Sequence, residues 1–345
     1  MSRPRLHLAS MLLALAVVAA PAHAGELGRL VEGLGGQDAK TRSQAYRTLI
    51  QKRDPRALPL LRTAMPTWDR AGRYYGVLVL ETYPYDEVRR TWKRLLEAKP
   101  AYLRFSAANA MLRRGEEDAL PVLVTAMREP TADTIEKIWM VTRLPTDAPP
   151  QAIDAARSLL SRKQPPALIS VVLRRMHVRR DQPAMIGATR LLSSPRADVR
   201  ALAAAYLLRM GDIKRTPVLL EALGAGVTQG TFDVVQTFLD TLPRLPMPLL
   251  EGVTRLLEAE AKPYMQLRWI AFVRRYRHAK ARKVLHGLVF TENQKVARAA
   301  FDALTDLTET LTGESLKPIL EDDDLDRRLW AADALRRRDD PTGLP

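Results

Sequence analysis

Asp198-Val-Arg-Ala-Leu-Ala-Ala-Ala-Tyr-Leu-Leu-Arg-Met-Gly-Asp-Ile-Lys-Arg-Thr-Pro-Val-Leu219 is the stretch on which the reading of this 345-residue chain turns. It holds an Asp-x-Arg phrase, an Ala203-Ala204 pair, a Gly211-Asp212 turn and a Thr216-Pro217-Val-Leu219 segment. Pieces of the phrase return as Asp38 to Arg42, Tyr102-Leu-Arg104 with Ala107-Ala108, and Gln266-Leu-Arg268. They return again as Val296-Ala-Arg298 with Ala299-Ala300 and Asp326-Arg-Arg328 with Ala331-Ala332. Arg42 to Arg104 is 62 residues with Arg73 midway, Arg104 to Arg200 is 96, Arg200 to Arg268 is 68, and the last two steps are 30 each. A period near 31 residues implies about ten units, eroded near residues 136, 168 and 234, and is the signature of stacked repeats.

The segment Lys99 to Met127 shows what one unit contains. Pro100 suits a helix start, where its missing N–H leaves no bond unmade. Leu103, Ala107, Ala110 and Met111 follow the spacing of one apolar helix face. Gly115 ends that helix, Glu116 to Asp118 favour the positive end of the next, and Leu120, Leu123, Val124 and Met127 form a second stripe. The unit is helix, tight turn, helix, with no room for a strand. A lone hairpin cannot bury its apolar faces, so units must stack. The expected class is all-α.

These residues resemble the HEAT-repeat family, in particular the bacterial HEAT-like repeats of the phycobilin-lyase type. The matching positions are the Asp198 to Arg200 phrase, the Ala pair, Gly211-Asp212 and Thr216 to Leu219. The resemblance extends over nearly all of the chain after residue 25 and is weak in 130–190 and 224–260. It implies an α-solenoid of about ten hairpins whose second helices line the concave face. It also implies a structural role, in a ladder between repeats, for Arg42, Arg104, Arg200, Arg268, Arg298 and Arg328. It says little about activity, because such repeats are scaffolds for many partners.

Residues 1–24 read as a separate message. Arg3 and Arg5 precede an apolar run from Leu8 to Ala20 and an Ala22-His23-Ala24 cleavage pattern, as in a secretory signal peptide cut after Ala24. The competing reading is a retained N-terminal anchor. Residues 25–345 then form one repeat array in the periplasm or outside the cell. Cysteine is absent, which excludes disulfides, thiolate metal sites and Cys nucleophiles.

Charge is uneven along the chain. Residues 151–290 carry 23 Lys/Arg against 10 Asp/Glu, and 261–291 carry eight basic residues and no acid. Such a field attracts anionic partners. The candidate binding residues are Arg274, Arg275, Arg277, Lys280, Arg282 and Lys283, with Lys280 and Lys283 expected one turn apart on a second helix. Trp269, Phe272, Val273 and Tyr276 between them have the spacing of a buried stripe. A solvated basic face and an anion-binding patch both remain open on this pattern.

No catalytic residues emerge. The only histidines after residue 24 are His177, His278 and His286, none in a metal-binding spacing, and no serine-nucleophile pattern occurs. No cofactor or metal is expected. Asp322, Asp324, Asp326 and Asp333 mimic a calcium loop but lack its central glycine, and read as an acidic helix start. Gly33-Leu-Gly35-Gly36 and Gly224-Ala-Gly226 read as turns. The aromatics Trp68, Tyr74, Tyr75, Tyr83, Tyr85, Trp92 and Tyr102 suit either core or interface, with Tyr83 and Tyr85 in a turn where exposure is expected. The expectation is a non-enzymatic scaffold for a protein or peptide partner, one with an acidic surface. A polyanion binder acting through 151–290 is the alternative, whether the polymer is nucleic acid or part of the envelope.

Overall fold

A computed structural model describes residues 25–308 and 312–337. The signal-peptide reading of residues 1–24 lies outside the described residues. Among those described, the chain is helical and has no strand. It divides into two compact units at Leu160/Ser161, where the sequence suggests one uninterrupted array. The first unit holds α1 (Glu26–Gly35), α2 (Ala39–Lys52), α3 (Ala57–Ala64), α4 (Arg70–Leu80), α5 (Tyr85–Leu95), α6 (Ala101–Leu112), α7 (Leu120–Arg128), α8 (Thr134–Arg143) and α9 (Pro150–Arg157). The second holds α10 (Pro166–Val178), α11 (Ala184–Leu191), α12 (Ala197–Arg209), α13 (Thr216–Gly224), α14 (Gln229–Asp240) and α15 (Met247–Ala259). It continues with α16 (Pro263–Arg275), α17 (Arg282–Val289), α18 (Gln294–Leu307), α19 (Gly313–Leu320) and α20 (Leu325–Arg336).

From α2 onward, the even-numbered helices are the first helices of successive hairpins. They begin at Ala39, Arg70, Ala101, Thr134, Pro166, Ala197, Gln229, Pro263, Gln294 and Leu325, in steps of 31 to 34 residues. Within the first unit, α2, α4, α6 and α8 pack in order as one layer, and α1, α3 and α5 pack in order in the other, as do α7 and α9. In the second unit, α10, α12 and α14 pack in order, as do α13, α15 and α17. Small side chains permit this approach: Ala107, Ala108, Ala203 and Ala204 are fully buried between helices.

Local chemistry sets the helix ends. Asp38, Asp69, Asp133, Thr228, Asn293 and Asp324 each accept backbone N–H bonds from the first turn that follows, satisfying donors a helix start leaves open. Asp322 also pairs with Arg327, so two of the four carboxylates in the run 322–326, Asp322 and Asp324, are taken up by pairing and capping. At the other end, α6, α10, α12 and α16 close with a left-handed residue whose successor donates back to the helix, Glu116 to Met111, Asp181 to Met176, Asp212 to Leu207 and His278 to Val273. The left-handed residue is Gly115 and Gly211 in two of these turns and Arg180 and Arg277 in the others. An L side chain in this region costs about 1 kcal/mol relative to glycine.

The recurring arginine has a definite task. Arg42, Arg73, Arg104, Arg200 and Arg328 each reach back five or six residues to backbone carbonyls before their own helix. The acceptors are Gly36, Trp68, Ala98 with Lys99, Ser194 with Pro195, and Asp322 with Asp323. In α16 the same position holds Gln266, whose amide donates to the carbonyl of Glu260 at 2.8 Å. Arg268, two residues on, instead donates to Val227 and lies over the rings of Phe232 and Tyr264. Arg298 pairs with Asp302 and lies 5.1 Å from the Trp330 ring centroid. Arg268 and Arg298 thus share the arginine but not the carbonyl clasp, because each stands one or two residues past the register of the others.

The expected one-sided amphipathic helix at 101–112 is enclosed on all sides, as is α12. Val199 and Ala201 to Leu208 are all buried, and in α6 only Arg104, Ala110 and Leu112 keep partial exposure. Neighbours two repeats apart close over these helices. Arg70 pairs with Asp133 at 3.0 Å, Arg73 with Glu136 at 2.7 Å, Glu81 with Arg143, and Tyr74 stacks on Trp139 at 4.7 Å, all joining α4 to α8 across α6. In the second unit α10 packs on α14 across α12, with His177 edge-on to Phe238 at 5.7 Å. First helices two repeats apart therefore meet at both places.

Two local expectations are corrected. Tyr83 is buried at 5% exposure, its hydroxyl donating to the Asp54 carbonyl at 3.0 Å, because the turn before α5 folds onto the end of α2. Gly33 and Gly35 lie inside α1 rather than in a turn, and a Cβ on Gly35 would fall 2.4 Å from the Trp68 ring nitrogen. That glycine is required by close approach rather than by a bend.

Candidate functional site

In the second unit, the turn from Thr241 to Pro246 between α14 and α15 faces the turn from Tyr276 to Ala281 between α16 and α17. A cleft of about 650 Å³ opens between them. Its apolar lining comes from Leu239, Leu242, Leu245 and Leu250, with Met247 left 42% exposed. Its charged lining is Asp240, Arg244, Arg275, Arg277 and Lys280. Pro243 and Pro246 bracket the first turn, since neither can extend a helix past α14.

The basic residues singled out from the sequence divide into two groups. Arg274 pairs with Asp306 at 2.6 Å, Arg275 grips both oxygens of Asp240 at 2.8 and 2.5 Å, and Lys280 pairs with Glu251 at 2.6 Å. Each of these pairs joins neighbouring repeats. The Tyr276 hydroxyl also donates to Asp240, and burial, together with that carboxylate, holds the phenol well above its ordinary range. Arg277, Arg282 and Lys283 are exposed and make no ion pair among the described residues. Lys280 does not share a helix with Lys283, because a 3-10 turn takes Ala279 to Ala281 and α17 begins only at Arg282. Arg282 and Lys283 therefore stand at the positive end of a helix, where cations are disfavoured by a few tenths of a kcal/mol, about 0.3 or more each.

Two features break local rules beside the cleft. Arg277 holds φ 49° where Gly115 and Gly211 stand in other turns. His278 follows it, where the equivalent turns carry Glu116, Asp181 and Asp212; it is 5% exposed and its Nε2 is buried without a partner. Burial first, and then Lys280, push the imidazole toward its neutral form against the pull of Glu251. Departures of this kind concentrate at functional positions.

The chain matches no protein-family model and no curated protein. Among the described residues, no three His, Asp or Glu side chains gather as a metal site would need, and no helix is long and apolar enough to cross a membrane.

Tyr83 and Tyr85, the other expected binding residues, lie in the first unit. Tyr85 is half-buried, its hydroxyl donating to Glu116, which Arg89 also grips, and Arg114 lies 5.6 Å from its ring centroid. These contacts make it part of a clasp between α5 and the turn before α7. Sequence reasoning missed Arg244 and the leucines around it. The signal was the run Leu242-Pro-Arg-Leu-Pro246, whose prolines read only as a helix break.

Proposed function

We propose that this chain is an exported HEAT-like α-solenoid and a non-enzymatic scaffold. Its cleft between α14 and α17 holds a peptide segment carrying a carboxylate beside an apolar side chain. The observation that supports this most is the cleft lining: leucines and an exposed methionine inside, with Arg244 and Arg277 at its edge, neither paired with a carboxylate among the described residues. Apolar contact supplies area, and the two guanidinium groups supply orientation and the planar geometry a carboxylate matches. The internal pairing of Arg274, Arg275 and Lys280 argues for this mixed site over a simple polyanion track, since half of that basic group is already neutralised.

Fluorescence anisotropy with labelled octapeptides tests it, using a Leu-Asp-Glu peptide, its Leu→Ser counterpart and polyphosphate as probes. The first peptide should bind more tightly than the second. Arg244→Glu with Arg277→Glu should weaken it at least tenfold and flatten its salt dependence. Polyphosphate binding alone, or indifference to the double reversal, would overturn the reading. Export is tested separately: protein recovered outside the cytoplasm should begin at Gly25, and a start at Met1 would indicate an anchor instead.

A further inference from the structure

The first unit has a cleft in the same kind of place as the second. The turn from Arg113 to Ala119, between α6 and α7, faces the turn from Leu144 to Pro149, between α8 and α9. A cavity of about 180 Å³ lies between them. Both clefts sit between the turns of successive hairpins, but their charges are opposite. The cleft beside α16 has four Lys/Arg and one carboxylate in its lining. This one sets Arg113 against Glu117 and Asp147, a net charge of −1. Its walls are apolar, with Leu123, Leu144 and Ala152 all buried.

One wall carries a group that the fold leaves unsatisfied. Asn109, in the last turn of α6, lines the cavity and is 3% exposed. Its Nδ2 donates to the carbonyl of Arg143 at 3.3 Å, and the Arg113 Nη2 donates to the same carbonyl at 3.3 Å. A carbonyl oxygen only accepts, so turning the amide over would set two acceptors face to face. The orientation is therefore fixed, and the Asn109 Oδ1 is buried without a partner. The carboxylates have an ordinary explanation, since the positive ends of α7 and α9 favour them. The C-termini of α6 and α8 reach the same edge, however, so the helix dipoles largely offset one another there. They explain neither the cavity nor the unpaired amide oxygen. Glu117 and Asp147 are exposed and make no ion pair among the described residues, whereas the adjacent Glu116 is held by Arg89 and Tyr85.

We propose that this cavity receives a lysine side chain from a partner peptide. An unbranched alkyl stem suits a small apolar cavity, and an ammonium carries donors and no acceptor, as the Asn109 Oδ1 requires. Glu117 and Asp147 supply the countercharge that a lysine needs on leaving water, and the net charge of the lining matches one cation. None of these residues belongs to the cleft of the second unit, so either site can fail without the other.

Fluorescence anisotropy of labelled octapeptides against the full chain tests it, with a single central lysine, norleucine or glutamate as the probes. The lysine peptide should bind, less tightly as salt is raised. Norleucine keeps the stem without the charge and should bind at least tenfold more weakly, and glutamate more weakly still. Glu117→Gln with Asp147→Asn, both at exposed positions, should lower affinity for the lysine peptide at least tenfold with helix content unchanged. Asn109→Leu should lower it several-fold while keeping or raising the melting temperature, because an apolar group of similar size replaces an unpaired buried acceptor. Should that variant fail to fold, the exposed pair decides alone. Arg244→Glu with Arg277→Glu should leave lysine-peptide binding as it is, which separates this site from the cleft of the second unit. No binding of the lysine peptide, norleucine bound as tightly as lysine, or unchanged affinity in the Glu117→Gln, Asp147→Asn variant would each overturn the proposal.

Discussion

Replacing Arg200 with methionine tests whether the recurring arginine works by position rather than by charge. Its Nη1 donates to the carbonyls of Ser194 and Pro195 at 2.9 and 3.1 Å, and its side chain is only 16% exposed. Hydrogen bonds to a charged group contribute about 1.5–3 kcal/mol each, and the two carbonyls would lose their partner behind a side chain that excludes water. The contact to Glu221 adds little, because that carboxylate is 70% exposed. Arg200→Met should therefore destabilise the second unit by about 3 kcal/mol. Arg298→Met, in the same unit, removes only an i,i+4 pair with Asp302 and a stacking contact with Trp330, together about 1 kcal/mol. Arg200→Lys should recover less than half the loss, since a single ammonium cannot reproduce the guanidinium fork. Urea unfolding followed by circular dichroism and tryptophan fluorescence resolves this, with the transitions of the two units fitted separately. Equal costs for Arg200→Met and Arg298→Met, or a cost below about 1 kcal/mol at Arg200, would refute the carbonyl clasp.

Tyr83→Phe should cost about 1 kcal/mol in the unfolding of the first unit, through the lost bond to Asp54, and leave peptide binding unchanged. Gly35→Ala should destabilise that unit by about 1–3 kcal/mol and shift Trp68 emission, because its methyl group meets the indole ring. Gly287→Ala, which faces open space in α17, should instead stabilise by about 0.5–1 kcal/mol; the two melting temperatures should move in opposite directions. Hydrogen bonds from Arg89 first, and then Tyr85, hold the Glu116 carboxyl down to about 2. A depressed carboxyl stabilises above its unfolded value and loses that contribution as pH falls toward about 2. An acid titration of thermal stability should therefore be flatter for Glu116→Gln below pH 4.5, the ordinary value of the group.

The cleft and the enclosed helices show where one-dimensional reading stops. Leu242-Pro-Arg-Leu-Pro246 and Arg277 to Lys280 lie some thirty residues apart, and nothing in either segment names the other. They face each other because turns of adjacent hairpins fall on the same edge of the stack. Arg274, Arg275 and Lys280 look free in a stretch without acids, yet their partners Asp306, Asp240 and Glu251 come from neighbouring helices. Local counting of charge overstates a basic patch when each repeat can lend a carboxylate to the next. For α6 and α12 a signal was present: Ala101 to Met111 and Val199 to Leu208 are apolar nearly all round, which marks a helix buried on every side.

What the sequence by itself determined is the helical period, the hairpin unit and the ends of most helices. These depend on contacts within about six residues: capping side chains, left-handed turns, prolines, and an arginine reaching carbonyls just before its own helix. Tertiary structure decided which charges are spent and which remain. Arg275 is neutralised by a residue 35 positions away, whereas Arg277 and Arg282, in the same basic stretch, make no ion pair among the described residues. Ion pairing and desolvation act through space over a few ångströms, and only stacking of the hairpins brings those distances into being.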